Sequence, residues 1–355
     1  MWGWAHGPCS AGQEGAAFGT NSYRVPFICV VTDHDYLTFE PEERVLRPVG
    51  VELVVAGRER AALRKAFATA DALLSQYIPI DAETVKMLPR CLVIVRYGVG
   101  FDAVDLAAAT EAGICVCNVP DYGTQEVALH AITLLLGVHR RIAQYDAALR
   151  QGRWLAGPEV VPPIHRLSGR TLGIVGLGRI GKAVASYAAP LGLHLLAYDP
   201  YITRTAAIEA GAVLVDYATL LRQSDFVTFH TPLTPETRHL LSDAELRLMK
   251  PDAVVVNTAR GAVIETVALA KALREGRLAG AGIDVFEGEP LAQNHPLRST
   301  PNTLLTPHVA WYSEESQQAL KRMAAEEVAR VARGEWPRSV VNPDVRANAR
   351  LQAKS

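Results

Sequence analysis

Arg260, Glu289 and His308 are the side chains of this 355-residue sequence best suited to binding a carboxylate and moving a proton. They stand in Asn257-Thr-Ala-Arg260-Gly261, Asp284-Val-Phe-Glu-Gly-Glu289-Pro290 and Thr306-Pro307-His308. A guanidinium grips a carboxylate in fork geometry, an imidazole moves a proton near neutral pH, and a carboxylate orients and stabilises the imidazolium. Singly, each has a plainer use: Arg260 as a surface ion pair, Glu289 as a solvated loop acid, His308 as one of ten histidines. Together they match what hydride transfer to a 2-keto acid requires, provided a dinucleotide binds nearby.

That dinucleotide signal is Gly176-Leu-Gly178-Arg179-Ile180-Gly181, which follows an apolar strand and opens a helical pattern over Lys182 to Leu191. The first glycine makes the turn, the second lets backbone approach a pyrophosphate, and the third permits close helix packing. The helix N-terminus then favours the anion. The next strand ends at Tyr198-Asp199, where an acid would bind a ribose 2′-hydroxyl and disfavour a 2′-phosphate, so NAD is expected over NADP. A glycine turn used only for packing, or a loop for an adenosyl methyl donor, is the alternative. Tyr97-Gly98-Val99-Gly100 also lies between a strand and a helix but lacks a third glycine and a strand-end acid. Its alternative use is a nest of free backbone N–H groups for a small anion.

In an open α/β sheet, ligands bind beyond the carboxyl ends of the strands, so these segments converge only if each follows a parallel strand. The sequence supplies such strands. Short β-branched runs at Phe27–Val31, Val51–Val55, Leu73–Leu74, Leu92–Val95 and Ile114–Cys117 alternate with helical patterns. A second series begins at Thr171, with strands near Leu172–Val175, Leu193–Tyr198, Phe226–Phe229, Ala253–Asn257 and Gly280–Val285. Between the two series one long helix is expected from about Thr124 to Gln151, apolar on a broad face and ended by Gly152. Ser242-Asp-Ala-Glu245 reads as a capping box, and a last amphipathic helix is expected over Ser313 to Arg333.

Composition removes other classes. Lys plus Arg total 36 against 37 Asp plus Glu, so no basic field exists to gather a nucleic-acid backbone. The longest apolar stretch, Ala131 to Val138, is far short of a membrane span. Five cysteines without a C-x-x-C pair argue against a disulfide framework or a zinc site and for a reducing cytoplasm. Residues 1–23 carry no Lys or Arg before Arg24 and five glycines, and are expected to be a disordered extension rather than a secretory signal.

The chain resembles the D-isomer-specific 2-hydroxyacid dehydrogenase family from about Val25 to Asp344. Within it, the tracts Val95-Arg96-Tyr-Gly-Val-Gly-Phe-Asp102, Cys117-Asn-Val-Pro120, Asn257-Thr-Ala-Arg-Gly261 and Thr306-Pro-His-Val-Ala-Trp-Tyr-Ser313 look most like the branch containing the C-terminal binding protein corepressors. The resemblance implies two doubly wound parallel-sheet domains with two chain crossings. The first, flavodoxin-like and substrate-binding, would comprise 24–118 and 309–345; the second, a Rossmann NAD domain, 119–308. It implies Arg260 for substrate, His308 as acid/base and Glu289 as its support. It further assigns Val99 and Gly100 to the substrate carboxylate, and Arg96 and Trp311 to the pocket. The cofactor would meet Arg179, Ile180, Asp199, Thr231, Thr258 and Asp284 beside the three loop glycines. Leu129 departs from the acid often found there, a peripheral helix contact.

The resulting expectation is an NAD-dependent homodimer interconverting a 2-keto acid and a D-2-hydroxy acid. The rival is a corepressor-like scaffold holding NAD(H) as a structural ligand. Trp311, three residues after His308, would wall the pocket with apolar area and favour an apolar or thioether substrate over a phosphorylated one; its plainer use is packing the start of the final helix.

Overall fold

The computed structural model describes residues 26–57, 59–159 and 163–352; the extension expected over 1–23 lies outside them. Five strands, β1 (Phe27–Val31), β2 (Val51–Val55), β3 (Ala72–Ser75), β4 (Val93–Arg96) and β5 (Cys115–Cys117), pair in parallel in the order β2-β1-β3-β4-β5. Seven more form a second parallel sheet: β6 (Thr171–Val175), β7 (His194–Tyr198), β8 (Val213–Leu214), β9 (Phe226–Phe229), β10 (Val254–Asn257), β11 (Gly280–Ile283) and β12 (Thr303–Leu305). Their order is β12-β11-β10-β9-β6-β7-β8. Helices cover both faces of these sheets, which is why the central strands are apolar throughout rather than alternating: β3, β9, β10 and β11 are buried at every position.

Register explains how distant segments meet. In the second sheet Val175 pairs with Phe229, Phe229 with Asn257, Asn257 with Ile283, and Ile283 with Leu305. The residues that follow, from Gly176 through Thr231, Thr258 and Asp284 to Thr306, therefore stand along one edge. Strand order reverses between β6 and β9, the switch point where such sheets bind ligands. In the first sheet Leu74 pairs with both Val31 and Val95, which lines up the loops after β1, β3 and β4.

The chain crosses twice. After β5 the helix Thr124–His139 packs Ala131, Leu134, Leu135 and Val138 into the second sheet's core. After β12 the helix Glu314–Ala332 returns to lay Leu320, Ala324, Ala325 and Val328 on the first sheet. Its N-terminus is capped by Ser313, which accepts from the Ser316 N–H at 2.9 Å.

One element differs from its sequence pattern. The single helix expected over 124–151 is two, Thr124–His139 and Ile142–Arg150, because Arg141 adopts φ +56°. That turn sends its buried guanidinium to the Ala279 carbonyl at 2.8 Å, a partner 138 residues away. The capping box of Ser242 and Glu245 is present, opening the short helix Asp243–Leu246. No helix among the described residues is long and apolar enough to cross a membrane.

Candidate active site

The glycine loop after β6 is shaped by contacts that only glycine permits. A Cβ on Gly176, whose φ is +90°, would stand 2.8 Å from the His230 carbonyl oxygen, and one on Gly181 would stand 2.1 Å from the Gly176 carbonyl. Gly178 faces open space. Asp199 holds this loop from the end of β7: Oδ2 accepts from the Leu177 N–H and Oδ1 from the Tyr201 N–H, both at 2.9 Å. Arg179 opens the helix Arg179–Ala188, followed by Ile180, and its side chain pairs with Asp121 at 2.8 Å.

A dinucleotide fits what this crevice leaves unsatisfied. Thr231 Oγ1 and Thr258 Oγ1, just beyond β9 and β10, are buried atoms without a hydrogen-bond partner. Buried hydroxyls rarely stay unpaired, so both are available to a ligand. His230 Nδ1 is also unpartnered, while Thr228 Oγ1 and His230 Nε2 lie 2.9 Å apart; full burial pushes this imidazole down to about 3, keeping it neutral.

His308 and Glu289 come together: Nδ1 lies 2.7 Å from Glu289 Oε2. The other carboxylate oxygen accepts from the Phe286 N–H at 2.9 Å, which fixes the acid's orientation. Burial alone would push the Glu289 carboxyl up, but the hydrogen bond and charge of His308, the Phe286 N–H and Arg260 hold it below the usual carboxylate range. A carboxylate only accepts, so Nδ1 carries the shared proton and Nε2 is the imidazole atom left to act.

The backbone at His308 sits at φ +55°, a left-handed conformation that costs a non-glycine residue about 1–2 kcal/mol. Asp284 holds it there. Its side chain is 0% exposed, and Oδ1 accepts from Thr306 Oγ1 at 2.6 Å and the Val309 N–H at 3.0 Å. Oδ2 accepts from the Ala310 N–H at 2.9 Å, and the Asp284 carbonyl from the His308 N–H at 2.7 Å. Asp284, expected as a cofactor contact, anchors the loop that carries His308 through both carboxylate oxygens. Behind it His130 Nε2 lies 3.0 Å from Thr306 Oγ1, a link that sequence reasoning missed. Leu129, the neighbouring departure from the family pattern, is exposed.

Opposite stands the loop after β4. The Val99 carbonyl accepts from Asn118 Nδ2 at 2.7 Å, while the Val99 and Gly100 N–H groups donate to no atom among the described residues. Arg260, after β10, reaches across to this loop: a Cβ on Gly100 would overlap its Nη2. Arg96 donates through Nη1 to the Tyr97 carbonyl at 2.7 Å and is half-buried, its Nε unpartnered. Trp311 is half-buried, donates its indole N–H to the His308 carbonyl at 3.0 Å and meets Tyr122 edge-on at 6.1 Å. It therefore packs the base of the His308 loop.

A Rossmann sheet with this loop, and a second α/β lobe whose loop meets Arg260 beside a His–Glu pair, is the arrangement of a nicotinamide-dependent oxidoreductase. The model of the D-isomer specific 2-hydroxyacid dehydrogenase NAD binding domain matches residues 132–310. A glyoxylate reductase of Thermococcus litoralis is 43% identical over 270 residues, 75% of this chain and 81% of the relative. A D-3-phosphoglycerate dehydrogenase of Methanocaldococcus jannaschii is 39% identical over 84% of this chain, which spans only 57% of that protein. The crystal structure of a glyoxylate reductase from Paecilomyes thermophila superposes with a TM-score of 0.81 at 28% identity, covering 90% of this chain and 99% of that one. The chain belongs to the D-isomer specific 2-hydroxyacid dehydrogenase family. Its cofactor is NAD, and its reaction class is the interconversion of 2-keto and 2-hydroxy acids, which favours the enzyme over the scaffold.

Proposed function

We propose that the protein reduces a small 2-keto acid such as glyoxylate or hydroxypyruvate, with His308 as the general acid. The observation that carries this is the His308–Glu289 pair at 2.7 Å, held on a loop whose left-handed backbone Asp284 anchors. When bound, the reduced cofactor NADH would supply the hydride in reduction, and the oxidised form NAD+ would accept it in oxidation. The residues do the rest. Arg260 and the free N–H groups of Val99 and Gly100 grip the substrate carboxylate, which fixes the carbonyl carbon against the crevice. His308 gives its Nε2 proton to the carbonyl oxygen as alkoxide charge develops, and Glu289 stabilises the imidazolium beforehand. Arg96 and Trp311 border the pocket, and Asp199, Thr231 and Thr258 hold the dinucleotide with the glycine loop.

The same reading makes 24–118 with 309–345 the substrate domain and 119–308 the NAD domain. The chain acts as a homodimer in the cytoplasm, joined through the apolar side chains that the two helices after β5 leave exposed, Leu129, Ile142 and Leu149, with Trp154 beyond them. Oxidation of NADH on adding glyoxylate or hydroxypyruvate, followed by absorbance, tests the activity; no turnover of either would refute it. Mass by light scattering tests the dimer against a monomer of 38.4 kDa.

A further inference from the structure

Asp102 lies two residues beyond Gly100, on the loop of the first lobe, and its Oδ1 accepts from Nε of Arg260, on the second lobe, at 2.9 Å. The ion pair is partly shielded, with Arg260 22% and Asp102 41% exposed. Arg260 has three polar atoms, and the structure accounts for each. Nε is held by Asp102, Nη1 donates to its neighbour's carbonyl at Ala259 at 2.7 Å, and Nη2 stands over Gly100. With two atoms fixed, the third can only face the loop whose Val99 and Gly100 N–H groups are free.

Charge gives a second, independent reason for an acid here. Arg96 is close enough for Arg260 to disfavour its positive charge, beyond the larger effect of its own burial. Burial would push the Asp102 carboxyl up, but Arg260, with Arg96, holds it below the usual carboxylate range, so it stays ionised. Asp102 thus offsets part of the repulsion between the two guanidinium groups.

We propose that Asp102 is a positioning residue for the reaction: it locks Arg260 by its Nε edge across the cleft, so that Nη2 completes the carboxylate site of the Val99–Gly100 loop. The proposal rests on the reading of Arg260 as the carboxylate grip. An arginine tethered at one edge keeps a fixed fork, whereas an untethered one samples many rotamers and binds a carboxylate less often in the reactive geometry.

The test is a double-mutant cycle on the full chain with saturating NADH and glyoxylate as substrate, using Asp102→Ala, Asp102→Asn, Arg260→Lys and the two doubles. Asp102→Ala should lower kcat/KM about tenfold or more, the size of one charge-assisted hydrogen bond. Asp102→Asn, whose amide oxygen can still accept from Nε, should recover part of that. NADH affinity, read by quenching of protein fluorescence, should stay at the wild-type value in both. In the Arg260→Lys background, where no Nε exists to hold, Asp102→Ala should cost less than about twofold. Equal losses in both backgrounds would overturn the proposal, as would an Asp102→Ala enzyme as efficient as wild type. A lower KM in that variant would also overturn it, by making Asp102 a competitor of the substrate. If Arg260→Lys alone left kcat/KM intact, the reading of Arg260 would fail first and the role of Asp102 with it.

Discussion

Replacing Asp284 by Asn keeps the shape of the side chain and removes one acceptor. With the amide oxygen in the place of Oδ1, the bonds from Thr306 Oγ1 and the Val309 N–H persist, and the amide NH2 replaces Oδ2 against the Ala310 N–H, now 2.9 Å from a donor. Losing one hydrogen bond to a charged acceptor costs about 1.5–3 kcal/mol, and leaving the buried Ala310 N–H unpaired raises the total to about 2–4 kcal/mol. At about 2–4 °C per kcal/mol for a domain of this size, Tm should fall by about 4–16 °C. Activity should fall too. Once the anchor weakens, the strain of about 1–2 kcal/mol in the His308 backbone favours release, which lowers kcat about 5- to 30-fold. Because the anchor acts on the loop, kcat should drop more than the KM for NADH rises. Circular dichroism melting with steady-state kinetics measures both. A variant with Tm within about 2 °C of wild type and unchanged kcat would refute the anchoring role.

Asp199→Ala should raise the use of NADP relative to NAD, since the carboxylate that repels a 2′-phosphate is gone; an unchanged ratio of kcat/KM values would contradict the assignment. Lys321→Met should destabilise the first lobe by about 3–5 kcal/mol in denaturant unfolding, because Glu42, 0% exposed, would keep its bond from Tyr97 OH at 2.8 Å but lose its buried cation. The Asp102 carboxyl is held low, so the stability of its pair is complete above the ordinary carboxylate range, about pH 4. That stability is lost as pH falls through the lowered folded value, and Asp102→Asn should flatten the acid limb of a Tm-against-pH curve.

Much of this site was legible because its residues follow strands, and strand ends are readable from short apolar runs closed by polar or glycine residues. The loops of Gly176, Thr258, Asp284 and Thr306 were placed that way, and parallel register does the rest. What stayed hidden depends on partners remote in sequence. Nothing around Arg141 announces a left-handed turn; its reason is the Ala279 carbonyl, reached only after folding. Asp102 stood inside a recognised tract, yet its meaning lies in Arg260, 158 residues away on the other lobe. His130 looked like one more residue of an apolar helix until β12 brought Thr306 beside it. Strand β8, of two residues, is too short to leave a periodic trace.

The proposed proton delivery by His308, oriented by Glu289, falls in the chemical step of reduction. Stopped-flow oxidation of bound NADH by glyoxylate in the wild type and in His308→Ala tests it most directly, because it isolates the chemical step from product release. The rate constant should fall by about 10²–10⁴ while the NADH dissociation constant stays at the wild-type value. A His308→Ala enzyme that binds NADH and oxidises it at the wild-type rate would contradict the account.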